Sequence, residues 1–511
     1  MIIIIITIIS YLTLMVVIGV IFSRKNKDVG DFYLGGRRLG PIVTAMSAEA
    51  SDMSSYLFMG LPGLAYLCGC AEVGWTAIGL AVGTYLNWLI VAKRLRIYSN
   101  HIGAITIPDF FSLRYRENKK IIMGISALII LIFFVPYTAS GFSACGKLFE
   151  QLFGWDYHVA MIISAAIIIL YTTIGGFLAA STTDLIQSIV MTLALVVVVV
   201  FGISSAGGIG NVIENAKGLN GYLDLFNNHN AADNTSSPFG FLDIISTLAW
   251  GLGYFGMPHI LLRFMAIKEK NKVKNSRRIA SVWVVISMGI AIFIGIIANA
   301  LSAQGFIPAL SGSAESETAI IKIAFLMNEN GVVMAIFAGI IFAGILACTM
   351  STADSQLLAA SSSASENIMK SVFGIKLSEK KSMLVARIAL IIIAVIGVVI
   401  AWDKNSTIFG VVSFAWAGFG ATFGPVMLLA LFWKRSNKWG AIGGLVAGGV
   451  MVFVWKFLVR PIGGAFNIYE LLPAFVIAIA ADIIISLATK APDSGVTEDF
   501  NGYVAEVKEK V

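Results

Sequence analysis

Charge is scarce in this sequence. Only 13% of its 511 residues are Asp, Glu, Lys or Arg, against roughly a quarter in a soluble protein, which excludes an ordinary water-soluble globule. Cysteine is rarer still. Cys68, Cys70, Cys145 and Cys348 lie in apolar surroundings without a Cys-x-x-Cys pair, so neither a disulfide framework nor a zinc site is indicated. The four histidines form no His-x-x-x-His or His-x-x-Glu pattern, and no Walker motif exists. A membrane metalloprotease and an ATP-driven pump are therefore both excluded, and no enzyme activity is expected. What is abundant is apolar: 58% of residues are hydrophobic, and Phe outnumbers Tyr by 33 to 14. That richness excludes disorder, and the 50 glycines follow no collagen-like period. The chain reads as an all-α polytopic membrane protein.

A bilayer core about 30 Å thick needs roughly 20 apolar residues per helix. Thirteen stretches qualify: 2–22, 41–67, 73–92, 121–145, 157–178, 185–206, 240–264, 280–303, 332–362, 385–402, 407–433, 438–457 and 467–488. The first lacks a positive n-region and a cleavage site, so it reads as a retained span and not a signal peptide. Residues 1–489 are expected to form one transmembrane domain, and 490–511 a short, polar, mobile tail.

The basic residues orient this arrangement. Only Lys147, Lys217, Lys322, Lys404, Lys456 and Arg460 fall on one side; the other 30 of the 36 Lys and Arg fall on the opposite side, Arg263 among them. The positive-inside rule then places the N-terminus outside and the C-terminus in the cytoplasm of a cell membrane. The basic run 268–278 reads as a topology signal and not as a nucleic-acid site.

Two spans carry conspicuous helix breakers. Span 2 reads Ser47-Ala-Glu-Ala-Ser-Asp-Met-Ser-Ser55, then Gly60-Leu-Pro-Gly63; span 7 reads Trp250-Gly-Leu-Gly-Tyr-Phe-Gly-Met-Pro258. They lie five spans apart, and an odd offset means opposite orientations. Spans 2–6 (about 41–206) and 7–11 (about 240–433) are thus expected to be inverted repeats, with the solute site where the broken helices meet. Acidic residues at membrane depth are costly and usually functional. Asp52, with Glu49 one turn earlier, lies in span 2; Asp354 lies in span 9; Asp184 opens span 6. No basic residue is expected at the depth of Asp52, Glu49 and Asp354, which leaves a bound cation, protonation or hydroxyl hydrogen bonds as compensation. Ser351, Asp354 and Ser355 share one helix face, an oxygen-rich set suited to a hard cation. Trp250 and Tyr254 on the broken span, and Tyr137 after Pro136 in span 4, supply aromatic surface for a small solute.

These motifs resemble the sodium:solute symporter family. The resemblance runs from Asp31-Phe-Tyr-Leu-Gly-Gly-Arg37 to the end of span 13. It is carried most specifically by Ser51-Asp-Met-Ser54, Met59-Gly-Leu-Pro-Gly63, Ile174-Gly-Gly-Phe177, Trp250-Gly-Leu-Gly-Tyr-Phe-Gly256 and Ala415-Trp-Ala-Gly-Phe-Gly420. It implies thirteen helices around a leucine-transporter-like core, and sodium-coupled uptake of a small amino acid, with L-proline foremost. It also implies a sodium site between spans 2 and 9, made by the carbonyls of Ala50, Met53 and Cys348 and the hydroxyls of Ser351 and Thr352. Asp52 would be the carboxylate needed for coupling. Ser54, Ser55, Tyr137, Trp250, Tyr254 and Pro258 would meet the solute. Some relatives use the acid opening span 6 for a further sodium, so Asp184, Ser351, Asp354 and Ser355 form a candidate second cation site. Glu49 and Ser55 depart from the family pattern, which has small residues there. The alternatives left open are another amino acid, a sialic acid or a pantothenate-like acid; from a different class, a channel or sensor. Sodium, the solute and the lipid bilayer are the expected partners, with no nucleic acid and no obligate protein partner.

Overall fold

The structure, a computed structural model, describes residues 2–23 and 29–508. Arg24, Lys25 and Lys27 of the first basic connection, and the last three residues of the tail, lie outside the described residues. Long Ile-, Leu-, Val- and Ala-rich runs become helices because only a helix pairs every backbone group within its own segment in hydrocarbon. They are α1 (Ile2–Ser23), α2 (Pro41–Ser55), α3 (Leu61–Cys68), α4 (Ala71–Leu86), α5 (Ile121–Phe153), α6 (Tyr157–Ser205), α7 (Phe241–Leu248) and α8 (Pro258–Ala266). The second half continues with α9 (Val273–Ala303), α10 (Val332–Ser362), α11 (Glu379–Ile400), α12 (Ile408–Phe432), α13 (Lys438–Val454), α14 (Leu471–Ala488) and α15 (Ser494–Lys508).

Among the described residues ten helices are long and apolar enough to cross a membrane, or eleven with the bent pair Phe241–Phe255 and Pro258–Ala266. The expected thirteen differ from this at two places. Residues 41–67, divided into α2, a π-helical turn Tyr56–Gly60 and α3 and non-helical at Ser54, are not among those helices. Stretches 157–178 and 185–206 are joined in α6, whose 49 residues are interrupted at Gly176, with φ 67 and ψ −172.

α10 runs through the centre, against α1, α2, α5 and α6. Its residues from Ile341 to Ser362 are all buried, polar ones included. By contrast α1, α11 and α14 keep rows of Ile, Leu and Val exposed, as a lipid-facing surface requires. Within the tail, residues 494–508 form a packed helix. α15 buries Val496, Phe500 and Tyr503, stacks Tyr503 on Tyr98 at 4.2 Å, and pairs Glu506 with Lys270 at 2.9 Å. The long connection 207–239 also carries structure: a helix Ile209–Lys217 and an antiparallel hairpin, β1 (Asn227–Asn230) with β2 (Thr235–Pro238).

Candidate functional site

The break in span 2 sits at Ser54, earlier than the Gly-Pro-Gly cluster that suggested it. Ser54 is buried and holds φ 48, ψ −169, a backbone conformation rare outside glycine and sustained only by its surroundings. Its hydroxyl accepts the Tyr56 N–H at 3.2 Å. Gly63 serves packing: a Cβ there would meet the Glu317 nitrogen at 2.8 Å. Helix ends leave carbonyls without intrahelical partners, and here one is met from α10: the Ser351 hydroxyl donates to the Ala50 carbonyl at 2.8 Å. The hydroxyls of Ser351 and Thr352 also reach the Cys348 carbonyl, at 3.2 and 3.1 Å. Ala50, Cys348, Ser351 and Thr352 are thereby joined across spans 2 and 9.

Span 7 tightens into a 3-10 segment, Ala249–Phe255, between α7 and α8. This segment approaches α4 closely because both sides are glycine. A Cβ on Gly83 would run into the Gly251 carbonyl, and one on Gly79 into Leu248. Its aromatic side chains turn toward span 2. Trp250 stacks on Tyr56 at 5.7 Å and on Tyr469 at 5.2 Å, and its carbonyl accepts the Trp416 indole N–H at 2.8 Å. Tyr254 donates to Asp52 Oδ2 at 2.5 Å.

Two small voids meet at Tyr137. One, about 10 Å³, is bordered by Asp52, Met53, Tyr137 and Trp250; the other is bordered by Ser54, Ser55, Tyr137, Thr352 and Gln356. A void of that size holds about one water, so an amino acid enters only if helices part. Eight of the expected site residues therefore border these voids or bond directly to a bordering residue: Asp52, Met53, Ser54, Ser55, Tyr137, Trp250, Tyr254 and Thr352. Pro258 begins α8 and borders neither void.

Asp184, by contrast, is met by a basic residue. Arg263, counted above with a basic connection, lies in the last turn of α8 and is 1% exposed. It pairs with Asp184 at 3.1 Å and donates to Ser355 at 2.5 Å and Ser47 at 3.0 Å. The guanidinium therefore already stands among Asp184 and Ser355 of the candidate second cation set. Asp354 is met by hydroxyls: Tyr171 donates at 2.5 Å and Ser355 at 3.0 Å. Among the described residues Asp52 has no such cation, and its Oδ1 is buried without a partner. Glu49 is similar; Trp88 donates to Oε1 at 2.9 Å while Oε2 is unpartnered.

A family model described as the sodium:solute symporter family matches residues 32–448. The chain belongs to that family. It is 40% identical over 490 residues to the high-affinity proline transporter PutP of Bacillus subtilis (strain 168), covering 96% of this chain and 99% of that one. It is 39% identical over 484 residues to the osmoregulated proline transporter OpuE of the same organism, covering 94% of each. The sodium/proline symporter of Staphylococcus aureus (strain USA300) is 38% identical over 508 residues, 98% of this chain and 95% of that one. Among solved structures, a sodium-coupled sialic acid symporter in a substrate-bound outward-open state superposes with TM-score 0.78. It is 19% identical, over 96% of this chain and 99% of that one. Mhp1, a nucleobase–cation symporter closed around bromovinylhydantoin, gives 0.56 at 15% identity, over 92% and 98%. These likenesses establish the fold, that of multi-pass sodium symporters.

Sequence reasoning missed four residues at or beside the centre. Tyr56 and Trp416 pack around Trp250, Gln356 accepts the Thr138 hydroxyl at 3.1 Å, and Arg263 neutralises Asp184. Two left a signal: Arg263 as an arginine inside the apolar run Ile260-Leu-Leu-Arg-Phe-Met265, and Trp416 as part of the motif Ala415-Trp-Ala-Gly-Phe-Gly420. Tyr56 and Gln356 are residue types common in any membrane bundle.

Proposed function

We propose that this protein couples the entry of one sodium ion to uptake of a small zwitterionic amino acid, L-proline foremost. The observation that carries the reading is the contact of spans 2 and 9 through Ser351 and the Ala50 carbonyl, beside a buried carboxylate that no basic side chain bonds. The relatives named as proline transporters support the choice of solute. Sodium would be held by the carbonyls of Ala50, Met53 and Cys348 and the hydroxyls of Ser351 and Thr352, with Asp52 supplying the charge that couples it. The amino acid would lie against Ser54, Ser55, Tyr137, Trp250, Tyr254 and Pro258, its carboxylate meeting free N–H groups at the span 2 break. Neither void is bordered by Arg or Lys, which favours a zwitterion over a dianion.

In this reading the chain crosses the membrane thirteen times. The broken segment Pro41–Cys68 counts as one span and α6 as two, since 49 helical residues would extend about 74 Å, more than twice the hydrocarbon thickness. Spans 2–6 and 7–11 then form inverted repeats, with the N-terminus outside and α15 on the cytoplasmic face. Sodium entering first holds α2 against α10 and shapes the break for the solute; linkage then requires the solute to tighten sodium equally.

Uptake of radiolabelled proline into proteoliposomes under an imposed sodium gradient tests both halves. Sodium-dependent accumulation competed by other small amino acids supports the reading. Accumulation that persists without sodium removes the coupling, and no accumulation removes the solute. A Hill slope for sodium near one is expected. A slope near two that Asp354→Asn lowers to one would assign a second ion to Asp184, Ser351, Asp354 and Ser355.

A further inference from the structure

A basic pocket opens at the far end of span 3, away from the transport centre. Its volume is about 470 Å³, and it lies between the end of span 3, the start of α9 and the end of α15. Lys93, Lys270, Lys274, Arg277 and Lys508 all border it. Among the described residues, the carboxylate bound to its charged lining is Glu506, on Lys270 at 2.9 Å. Lys93 reaches only the Val507 carbonyl, at 3.5 Å. Arg277 spreads its guanidinium over the Tyr85 ring at 5.1 Å, and its Nε is buried without a hydrogen-bond partner. Gathering like charges around one concavity costs free energy unless an anion fills it.

The pocket also has an apolar approach. Ile78, Val82, Tyr85, Leu86 and Leu89 fall on one face of span 3, and each is 38–53% exposed. From Ile78 to Leu89 that stripe is about 16 Å long, the depth of one leaflet's hydrocarbon, and it ends at the basic pocket. A free phosphate would use the charges alone. A phospholipid uses both features, its phosphate among the lysines and its acyl chain along the stripe.

The pocket reaches the transport centre through Trp88. That side chain borders the cavity, packs on Phe264 of α8 at 4.4 Å, and donates to Glu49, one turn from Asp52 on α2. We propose that this pocket is a binding site for the headgroup of an anionic phospholipid, and that its occupant positions Trp88 and so the broken half of span 2.

The test uses the full-length protein in nanodiscs of phosphatidylcholine, with and without phosphatidylglycerol. Lipid retained after mild detergent extraction is counted by native mass spectrometry. Phosphatidylglycerol should be retained in preference to phosphatidylcholine. Lys274→Gln with Arg277→Gln should weaken retention about 25-fold, at about fivefold per charge removed, while Lys434→Gln with Lys376→Gln should not. The exposed single change Lys274→Gln gives the fivefold step if the double variant does not fold. Equal retention by wild type and variants overturns the proposal. Release of phosphatidylglycerol by millimolar inorganic phosphate assigns the pocket to a soluble anion and overturns the lipid. In sealed proteoliposomes of the same two lipid compositions, phosphatidylglycerol should raise uptake by the wild type, and Trp88→Phe should keep the lipid but abolish that rise; a rise that persists overturns the link to span 2. Because retention is read without transport, it stands or falls separately from the choice of solute.

Discussion

Asp52 and Asp184 are both fully enclosed, yet the protein treats them differently. Asp184 receives a guanidinium from α8 and a hydroxyl from Ser47 at 2.6 Å, so its charge is balanced within the chain. Among the described residues Asp52 receives only the Tyr254 hydroxyl; each acid keeps one oxygen unpartnered, so the guanidinium is what sets them apart. A buried charge without compensation is among the costliest features a protein can hold. The contrast separates an acid paired within the chain from one without a cationic partner among the described residues, the acid on which the proposed coupling rests. The pair at Asp184 ties span 6 and the second half of span 7 to span 2; the gap at Asp52 lies where span 2 is broken.

The largest expected effect comes from unbalancing the balanced acid. Arg263→Ala leaves Asp184 buried and alone, and should lower stability by about 3–5 kcal/mol, read as a fall in thermal midpoint in detergent. Adding Asp184→Asn should recover most of it. If the single variant melts like wild type, the pair is not structural. Next comes removal of the uncompensated acid. Asp52→Asn should fold normally but raise the half-saturating sodium concentration roughly tenfold to a hundredfold, the worth of a charged contact of about 1.5–3 kcal/mol. An unchanged sodium curve would contradict the role given to Asp52.

Smaller effects sharpen the contrast. Ser351→Ala removes the donor that joins α10 to the Ala50 carbonyl and should weaken sodium about fivefold to tenfold, at about 1 kcal/mol, with little change in melting. A loss of stability without a sodium effect would mark that bond as packing alone. Tyr254→Phe removes the one hydrogen bond to Asp52 and keeps the ring. Its expected cost is about 0.5–1.5 kcal/mol, seen mainly as a higher KM for the solute at fixed sodium.

The broken helices show how far the sequence could be read. The polar run Ser47–Ser55 marked span 2, but the break itself falls on a serine and not on the glycines nearby. Ser54 holds positive φ because its neighbours over-determine it, and no local preference of serine announces that. In span 7 the glycines were a true signal. They permit backbone contact with Gly79 and Gly83 of α4, although the partner helix could not be named from periodicity. Arg263 was visible as a residue and misassigned in place, because an arginine near the end of an apolar run reads as a loop charge. Its burial depends on Asp184, Ser47 and Ser355 arriving from three other spans. The tail misled for a related reason: its apolar residues Val496, Phe500 and Tyr503 are too few to mark a packed helix without the Tyr98 surface they cover.

Composition alone determined that this chain lives in hydrocarbon, because so few charges over so many apolar runs leave no other solvent. The order of its motifs determined its family. Which acid is balanced and which is left open was decided only by the tertiary structure. A charge in low dielectric is governed by what lies within a few ångströms, and those neighbours come from helices far apart in the chain.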